Sequence, residues 1–566
     1  MNINSNTTNT FDAIVIGSGI SGGWAAKELT GKGLTTLVLE RGRDVKHITD
    51  YPTANLSPWE LEYRNALPLE VEKANPIVSK CYNFREDSQH FFAKDGEHPY
   101  VQTKPFDWIK GYQVGGKSLL WARHTQRWSD FDFEGPARDG FAVDWPIRYK
   151  DLSSWYSYVE KFVGISGNKD GLPNLPDGEF LPPMEMTCVE KYFKEKVAAS
   201  YKDRSVIMAR CAHITEAQPI HHEQGRVSCQ YRDLCRRGCP FGGYFSSNSS
   251  TLPWAKKTGK LTLATHAVVH SIIYDEKKNK ATGVRVIDAI THEATEYFAR
   301  IIFVNAAAVN TNLILLNSTS NRFPNGIGND SGVLGKYFAF HNYRGKVTAE
   351  YDGFQDSTTE GRRPTGTYIP RFRNLYQQET NFLRGYAVAV GGRRADLPAK
   401  GWGEDLKAQL ATRTEGPWKL NAGMMGETIP KATNALTLSK TQKDEWGIPL
   451  LEFAVDYDDN DEKMLKDFFE QLSEMFSKAG FSNIKARDTK QAPGLDIHEM
   501  GGARMGRDPN HSMLNSFNQL HACKNVFVTD GACMTSTSTQ NPSLTYMALT
   551  ARAADYAVAE LKKGTL

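Results

Sequence analysis

Cysteine is scarce in this chain, with eight in 566 residues, far below the density of a disulfide-stapled domain. No apolar run reaches the length that spans a bilayer, so no membrane span is expected. The formal net charge is only +3, and no long Lys/Arg block occurs, which argues against a nucleic-acid partner. The opening MNINSNTTNTFDAIVIG has polar residues where an export signal carries a charged and then an apolar region. The chain is therefore expected to carry no export signal of its own. Its length suffices for two or more domains.

Against that scarcity, three cysteines crowd into CQYRDLCRRGCP, residues 229–240. Cys229, Cys235 and Cys239 follow a C-x5-C-x3-C-P spacing. Structural zinc usually takes four ligands with close C-x2–4-C pairs, and that pattern is missing. Thiolates are the usual ligands of iron–sulfur clusters, and a closing Cys-Pro resembles ferredoxin loops. Three cysteines suit a three-iron, four-sulfide cluster. Zinc and bare structural thiols are the alternatives. Arg232, Arg236 and Arg237 lie among the cysteines. They either stabilise a negative cluster, meet a partner's acidic rim, or form a solvated basic face.

The N-terminus carries a second pattern. DAIVI (12–16) has strand length, GSGISG follows, and TTLVLE (35–40) reads as the next strand. Between them, residues 20–30 read as a helix. Gly17 permits a tight turn, Gly19 lets backbone approach a pyrophosphate, and Gly22 lets helix and strand pack closely. The helix N-terminus supplies N–H groups and positive dipole for phosphates. Glu40 stands where a carboxylate binds a ribose 2′-hydroxyl, which disfavours NADP. The motif does not choose between NAD and FAD.

The C-terminal part favours FAD. NVFVTD ends in Asp530, Gly531 follows, and a helix is expected over 542–561 beside Asn541, Pro542 and Ser543. Its N-terminus suits the negative charge of a reduced flavin pyrimidine. Gly115 and Gly116, in GYQVGGKSLLW, allow backbone to lie against a flat ligand.

Together the glycine fingerprint, VGGKSLLW, DWPIRYKDLSSWY, HEMGGARMGRDP and TDGA…NPSLT resemble the glucose–methanol–choline (GMC) oxidoreductase family. The resemblance implies an α/β fold: a Rossmann-like FAD-binding domain with an inserted α+β substrate domain on a mostly antiparallel sheet. The expected division is 1–140, 206–340 and 491–566 for the FAD-binding domain, and 141–205 and 341–490 for the substrate or cap region. The family's proton acceptor falls on His498 and its second polar residue on Asn541. An imidazole suits the proton of an alcohol that gives up hydride, and Asn541 holds the hydroxyl in place. Val269 and Ala307 are implied near the adenine and the pyrophosphate. Some members bond flavin through a His in this loop. Leu120 stands there, so non-covalent FAD is expected.

The cysteine spacing resembles the catalytic subunit of bacterial FAD-dependent glucose dehydrogenase, where a cluster carries electrons to a cytochrome partner. RRGCPFGGYFSSNSSTLPWA resembles glucoside 3-dehydrogenases, with gluconate 2-dehydrogenase large subunits close behind. The expectation is a sugar or glycoside dehydrogenase favouring the C3 hydroxyl of glucosides. Its expected partners are a small subunit bearing the export signal and a cytochrome c-type acceptor. Location is expected in the periplasm by co-export, with the cytoplasm as alternative. The rivals are a flavin oxidase with structural cysteines and a non-catalytic electron-transfer subunit. Residues 343–427 show alternating strand patterns, and 461–479 show an amphipathic helix whose apolar stripe is core. The Gly/Pro-rich stretch 165–185 is expected to cover the active site.

Overall fold

A computed structural model of the protein describes residues 3–358, 364–395, 401–411 and 416–566. The architecture is α/β with two seven-stranded sheets. Strands Leu261–Ala264, Thr36–Leu39, Ile3–Ile16 and Ala294–Val304 lie side by side in parallel. Val526–Val528 also joins Ala294–Val304 in parallel. An antiparallel meander, Ala267–Asp275 and Lys280–Asp288, extends the sheet. The first strand runs back to Ile3, beyond the apolar run that marks it in sequence.

Both faces of the sheet's centre are covered, which is why residues 13–16 and the strands Thr36–Leu39 and Val526–Val528 are buried without alternation. Ala13 and Val15 pack with Ala25, Ala26 and Leu29 of the first helix, Ile20–Gly31, and with Ala553 and Ala557 of the last, Ser543–Lys563. Ile14 and Ile16 face the other way into the largest core. Small residues at the helix–helix contact let the two helices approach closely.

The second sheet is antiparallel. Its order is Ser482–Asp488, Gly345–Tyr351, Trp418–Glu427, Tyr386–Arg394, Thr367–Ile369 and Ile207–Met208. The amphipathic helix spans Asp459–Lys478 and is capped by the Asp458 carboxylate, which accepts the N–H groups of Asn460 and Asp461. Met464, Leu465, Phe468, Leu472, Met475 and Phe476 pack on one sheet face with Val347, Ala349, Leu420 and Ala422. The opposite face is left to border a cavity. Among the described residues, no helix is long and apolar enough to cross a membrane.

The stretch 165–185 does not cover that cavity. Leu175 packs with Ile207 and Tyr368, Asn174 Nδ2 donates to the Arg371 carbonyl at 2.8 Å, and none of its residues lines the cavity wall. Composition marked it as irregular but carried no information about where it docks.

Candidate active site

A cavity of about 680 Å3 opens between the two sheets, within the range of ligand pockets. Its long wall is the parallel sheet's first turn. Gly17 has φ +94°, and a Cβ on it would come 2.4 Å from the Asn305 carbonyl oxygen. A Cβ on Gly22 would come 1.9 Å from the Gly17 carbonyl oxygen. Neither clash can relax without moving backbone. Gly19 lines the cavity, and a Cβ there would meet no protein atom within 4 Å. Gly22→Ala is therefore expected to cost about 1–3 kcal/mol and to lower the flavin content of purified protein at least tenfold, read from the flavin-to-protein absorbance ratio.

Glu40 also lines the cavity. One carboxylate oxygen accepts Ser18 N–H and Oγ–H, and the other accepts Gly42 N–H. Burial pushes its carboxyl above the usual range. Gly116 is in the wall, whereas Gly115 sits behind it and donates its N–H to Ser18 Oγ at 2.9 Å. Val269, Ala307, Asp530 and Gly531 line the cavity. Asp530 accepts from Ala532 N–H and Thr311 Oγ, and burial raises its carboxyl to about 6. Ala307 holds φ +68° at the N-cap of helix Ala308–Asn317. Pro542 caps the last helix without lining the cavity, while Asn541 and Ser543 on either side do line it.

His498 and Asn541 meet at the cavity wall, with Asn541 Nδ2 3.3 Å from His498 Nε2. A residue with no sequence motif completes the group. His341, fully buried, places Nδ1 2.8 Å from His498 Nδ1. Its Nε2 lies 3.1 and 3.0 Å from the carbonyl oxygens of Thr537 and Ser538. Carbonyls only accept, so His341 carries its proton on Nε2. Burial holds His341 down to about 4, hence neutral, and its Nδ1 is a bare acceptor. His498 must then donate from Nδ1, which leaves the lone pair on Nε2 beside Asn541. The His498 imidazole is thus set as a base, and burial keeps it well below its ordinary pKa. Asn541 Oδ1 is buried without a partner.

His341, Asp496 and His498 also place donor atoms within 4.8 Å of one another. Two nitrogens on one zinc ion stand about 3.3 Å apart. The 2.8 Å separation observed between the two Nδ1 atoms suits a shared proton instead. Asp496 accepts the His341 backbone N–H at 2.9 Å, and burial raises its carboxyl to about 7.

Two outcomes follow from this arrangement. A base at this position works only when unprotonated, and burial lowers the His498 pKa. The loss of flavin-reduction kcat/KM that comes from protonating His498 should therefore fall below the range in which an ordinary histidine titrates. His341→Leu removes the acceptor that fixes the tautomer. It should lower kcat at least about tenfold with KM little changed, measured by anaerobic stopped-flow.

Models of GMC oxidoreductase match residues 88–342 and 430–550, together about two thirds of the chain. This chain is a GMC oxidoreductase. It is similar to 2-methyl-1,2-propanediol dehydrogenase of Mycolicibacterium austroafricanum, 27% identical over 96% of this chain and 94% of the relative. It is also similar to the fructose dehydrogenase large subunit of Gluconobacter japonicus, 26% identical over 99% and 100%. Paromamine 6′-oxidase of Streptomyces fradiae is 23% identical over 97% and 92%. A GMC oxidoreductase is an FAD-dependent enzyme acting on CH–OH groups. The cavity fits that cofactor: Gly19 presents bare backbone to it, a Cβ there would fill that space, and the buried Asn541 Oδ1 and Tyr546 hydroxyl on its wall lack partners. Leu120 is buried in the wall of this GMC oxidoreductase.

The cysteine loop lies next to this cavity. Arg123 lines the cavity and donates from Nη2 to the Cys235 carbonyl at 2.9 Å. Cys229, Cys235 and Cys239 are free and half-buried. Burial, and after it the nearness of the other two thiols, pushes Cys229 up to about 11. The loop arginines do not turn toward the sulfurs. Arg236 and Arg237 both pair with the buried Asp87 carboxylate at 3.0 and 2.6 Å, and Arg232 donates to the Ala54 carbonyl. The cations near the thiols are Arg123 and the fully buried Arg226, whose Nε and Nη2 respectively have no partner. Cys211 and His213 stand behind them, with Cys211 Sγ 2.8 Å from His213 Nδ1 and His213 Nε2 3.7 Å from Cys235 Sγ. None of these four carries a spacing signal in the sequence.

Proposed function

We propose that this GMC oxidoreductase is a dehydrogenase for a secondary alcohol of a sugar or glycoside, with the C3 hydroxyl of glucosides favoured. In this reading its electrons leave through a three-iron, four-sulfide cluster on Cys229, Cys235 and Cys239 to a cytochrome c-type acceptor. The observation that carries it is the gathering of three free thiols on one loop, with Arg123 between them and the cavity. FAD, held non-covalently along the glycine turn, supplies the hydride acceptor. His498 Nε2 takes the hydroxyl proton, Asn541 orients the oxygen, and His341 keeps the imidazole in the basic tautomer. A cluster supplies a one-electron carrier, which an oxidase does not need. The partnerless Arg123 Nε and Arg226 Nη2 suit an anionic group there. The thiols do not converge on a single-ion site among the described residues, and a multinuclear cluster holds its sulfurs further apart than one ion does.

Val227, Tyr231 and Phe241 are exposed around the cysteines, a surface suited to an electron-accepting partner. The relative named as a large subunit supports a small-subunit partner here, and co-export with it would place the enzyme in the periplasm. A flavin oxidase with structural cysteines is the second reading, favoured by the similarity to paromamine 6′-oxidase. Methyl glucoside turnover decides between them. Reduction of a one-electron acceptor without peroxide release supports the relay, and peroxide formed in proportion to sugar consumed contradicts it.

A further inference from the structure

The catalytic cavity continues into a second space of about 700 Å3, and the two share His124, Tyr343, Lys346 and Ala389 as walls. The second space is bordered by the antiparallel sheet face that the long helix leaves free. On Gly345–Tyr351, Val347 and Ala349 turn into the helix-covered core. Strand alternation then turns Lys346 and Thr348 the other way. Register places Arg487 opposite Lys346 and Lys485 opposite Thr348 on one side, with Gly423 and Asn421 on the other. All six line the second space.

Its charge is of one sign. Lys346, Lys485 and Arg487 line it, and no aspartate or glutamate does. Among the described residues none of the three pairs with a carboxylate within 4 Å, although Lys485 stands near enough to Glu350 to help hold its carboxyl below the usual range. The nearby acids are otherwise engaged, Glu350 with Lys419 at 3.0 Å and Asp488 with Arg344 and Lys490. Like charges directly opposite across two strands destabilise a sheet, yet Lys346 and Arg487 are such a pair. The sheet also leaves room beside them. A Cβ on Gly423 would come 2.9 Å from Lys346 Nζ, and one on Gly391 would meet nothing within 4 Å. The half-buried Lys346 ammonium sits 3.5 Å from the Tyr343 ring centroid, on the boundary between the two spaces.

We infer that among sugars and glycosides the enzyme prefers those that carry an anionic group, with the carboxylate or phosphate seated on Lys346, Arg487 and Lys485 while the hydroxyl reaches His498 and Asn541. This rests on the sugar-dehydrogenase reading above. An arginine and a lysine facing one another across a rung bind an anion between them, the arginine by its two-pronged fork. Neutral sugars offer these cations no counter-charge.

The test is anaerobic reduction of the holoenzyme's flavin by methyl glucoside, gluconate, methyl glucuronide and glucose 6-phosphate. The anionic sugars should exceed the neutral one in kcat/KM at least tenfold, and added salt should narrow the gap. The ratio of anionic to neutral kcat/KM should fall at least tenfold in Arg487→Gln and in Lys346→Met. Flavin content and melting temperature of each variant establish that it is folded. Preference for gluconate or glucuronide assigns a carboxylate, and preference for glucose 6-phosphate assigns a phosphate. Equal or better reduction by methyl glucoside, with a ratio unmoved in Arg487→Gln, overturns the inference alone. Failure of every sugar, neutral and anionic, overturns the sugar-dehydrogenase reading and the inference with it.

Discussion

His498→Ala is expected to leave FAD bound and to slow its reduction by substrate about 100- to 10,000-fold, the range of a positioned general base. The glycine turn, Glu40 and Asp530 that border the cavity are independent of this side chain, so flavin content should stay near that of the parent. The substitution strands the buried Nδ1 lone pair of His341, which now accepts from His498. That costs about 1–3 kcal/mol of stability, a drop in melting temperature well short of unfolding. Anaerobic mixing with sugar reads the loss as a slower bleaching of the flavin. Asn541→Ala should be milder, because the base survives and only the orientation of the hydroxyl is lost. An unchanged bleaching rate in His498→Ala would remove His498 from the chemistry.

Cys235→Ser is expected to separate the two half-reactions. Bleaching of flavin by sugar should stay within about threefold, because the hydrogen bonds of His498, Asn541 and His341 run to one another and to Thr537 and Ser538, not to the cysteine loop. Turnover with a one-electron acceptor should fall at least about 100-fold if the proposed cluster depends on this thiolate. The serine hydroxyl nearly matches the thiol in size, so a packing defect does not explain such a split. If the cysteines are structural, acceptor turnover and flavin bleaching should instead move together with stability.

Parts of this molecule were legible in the chain because their determinants are local. The Gly17–Gly22 turn is written in six residues and recurs as a positive φ and a crowded carbonyl. The amphipathic stripe appears as the helix Asp459–Lys478, and WKLNAGMMGE is the strand Trp418–Glu427. His341 was not legible. It sits in a two-residue strand, His341–Asn342, too short for any periodicity, and its partner lies 157 positions away. Cross-strand register likewise brings Lys346 to Arg487, and no local pattern encodes that pairing. The arginines of the cysteine loop show the converse. Their spacing was visible, but their direction is set by Asp87, buried far away in the chain. The polar opening residues concealed a strand because the parallel partner Ala294–Val304, not their own pattern, draws them into the sheet.

The relay is the central claim, and counting iron, acid-labile sulfide and FAD on one anaerobically purified sample tests it most directly. About three irons per FAD are expected, with sulfide in slight excess over iron. Stoichiometric FAD with no iron, in protein prepared under conditions that retain such clusters, would contradict it and make the oxidase the leading reading.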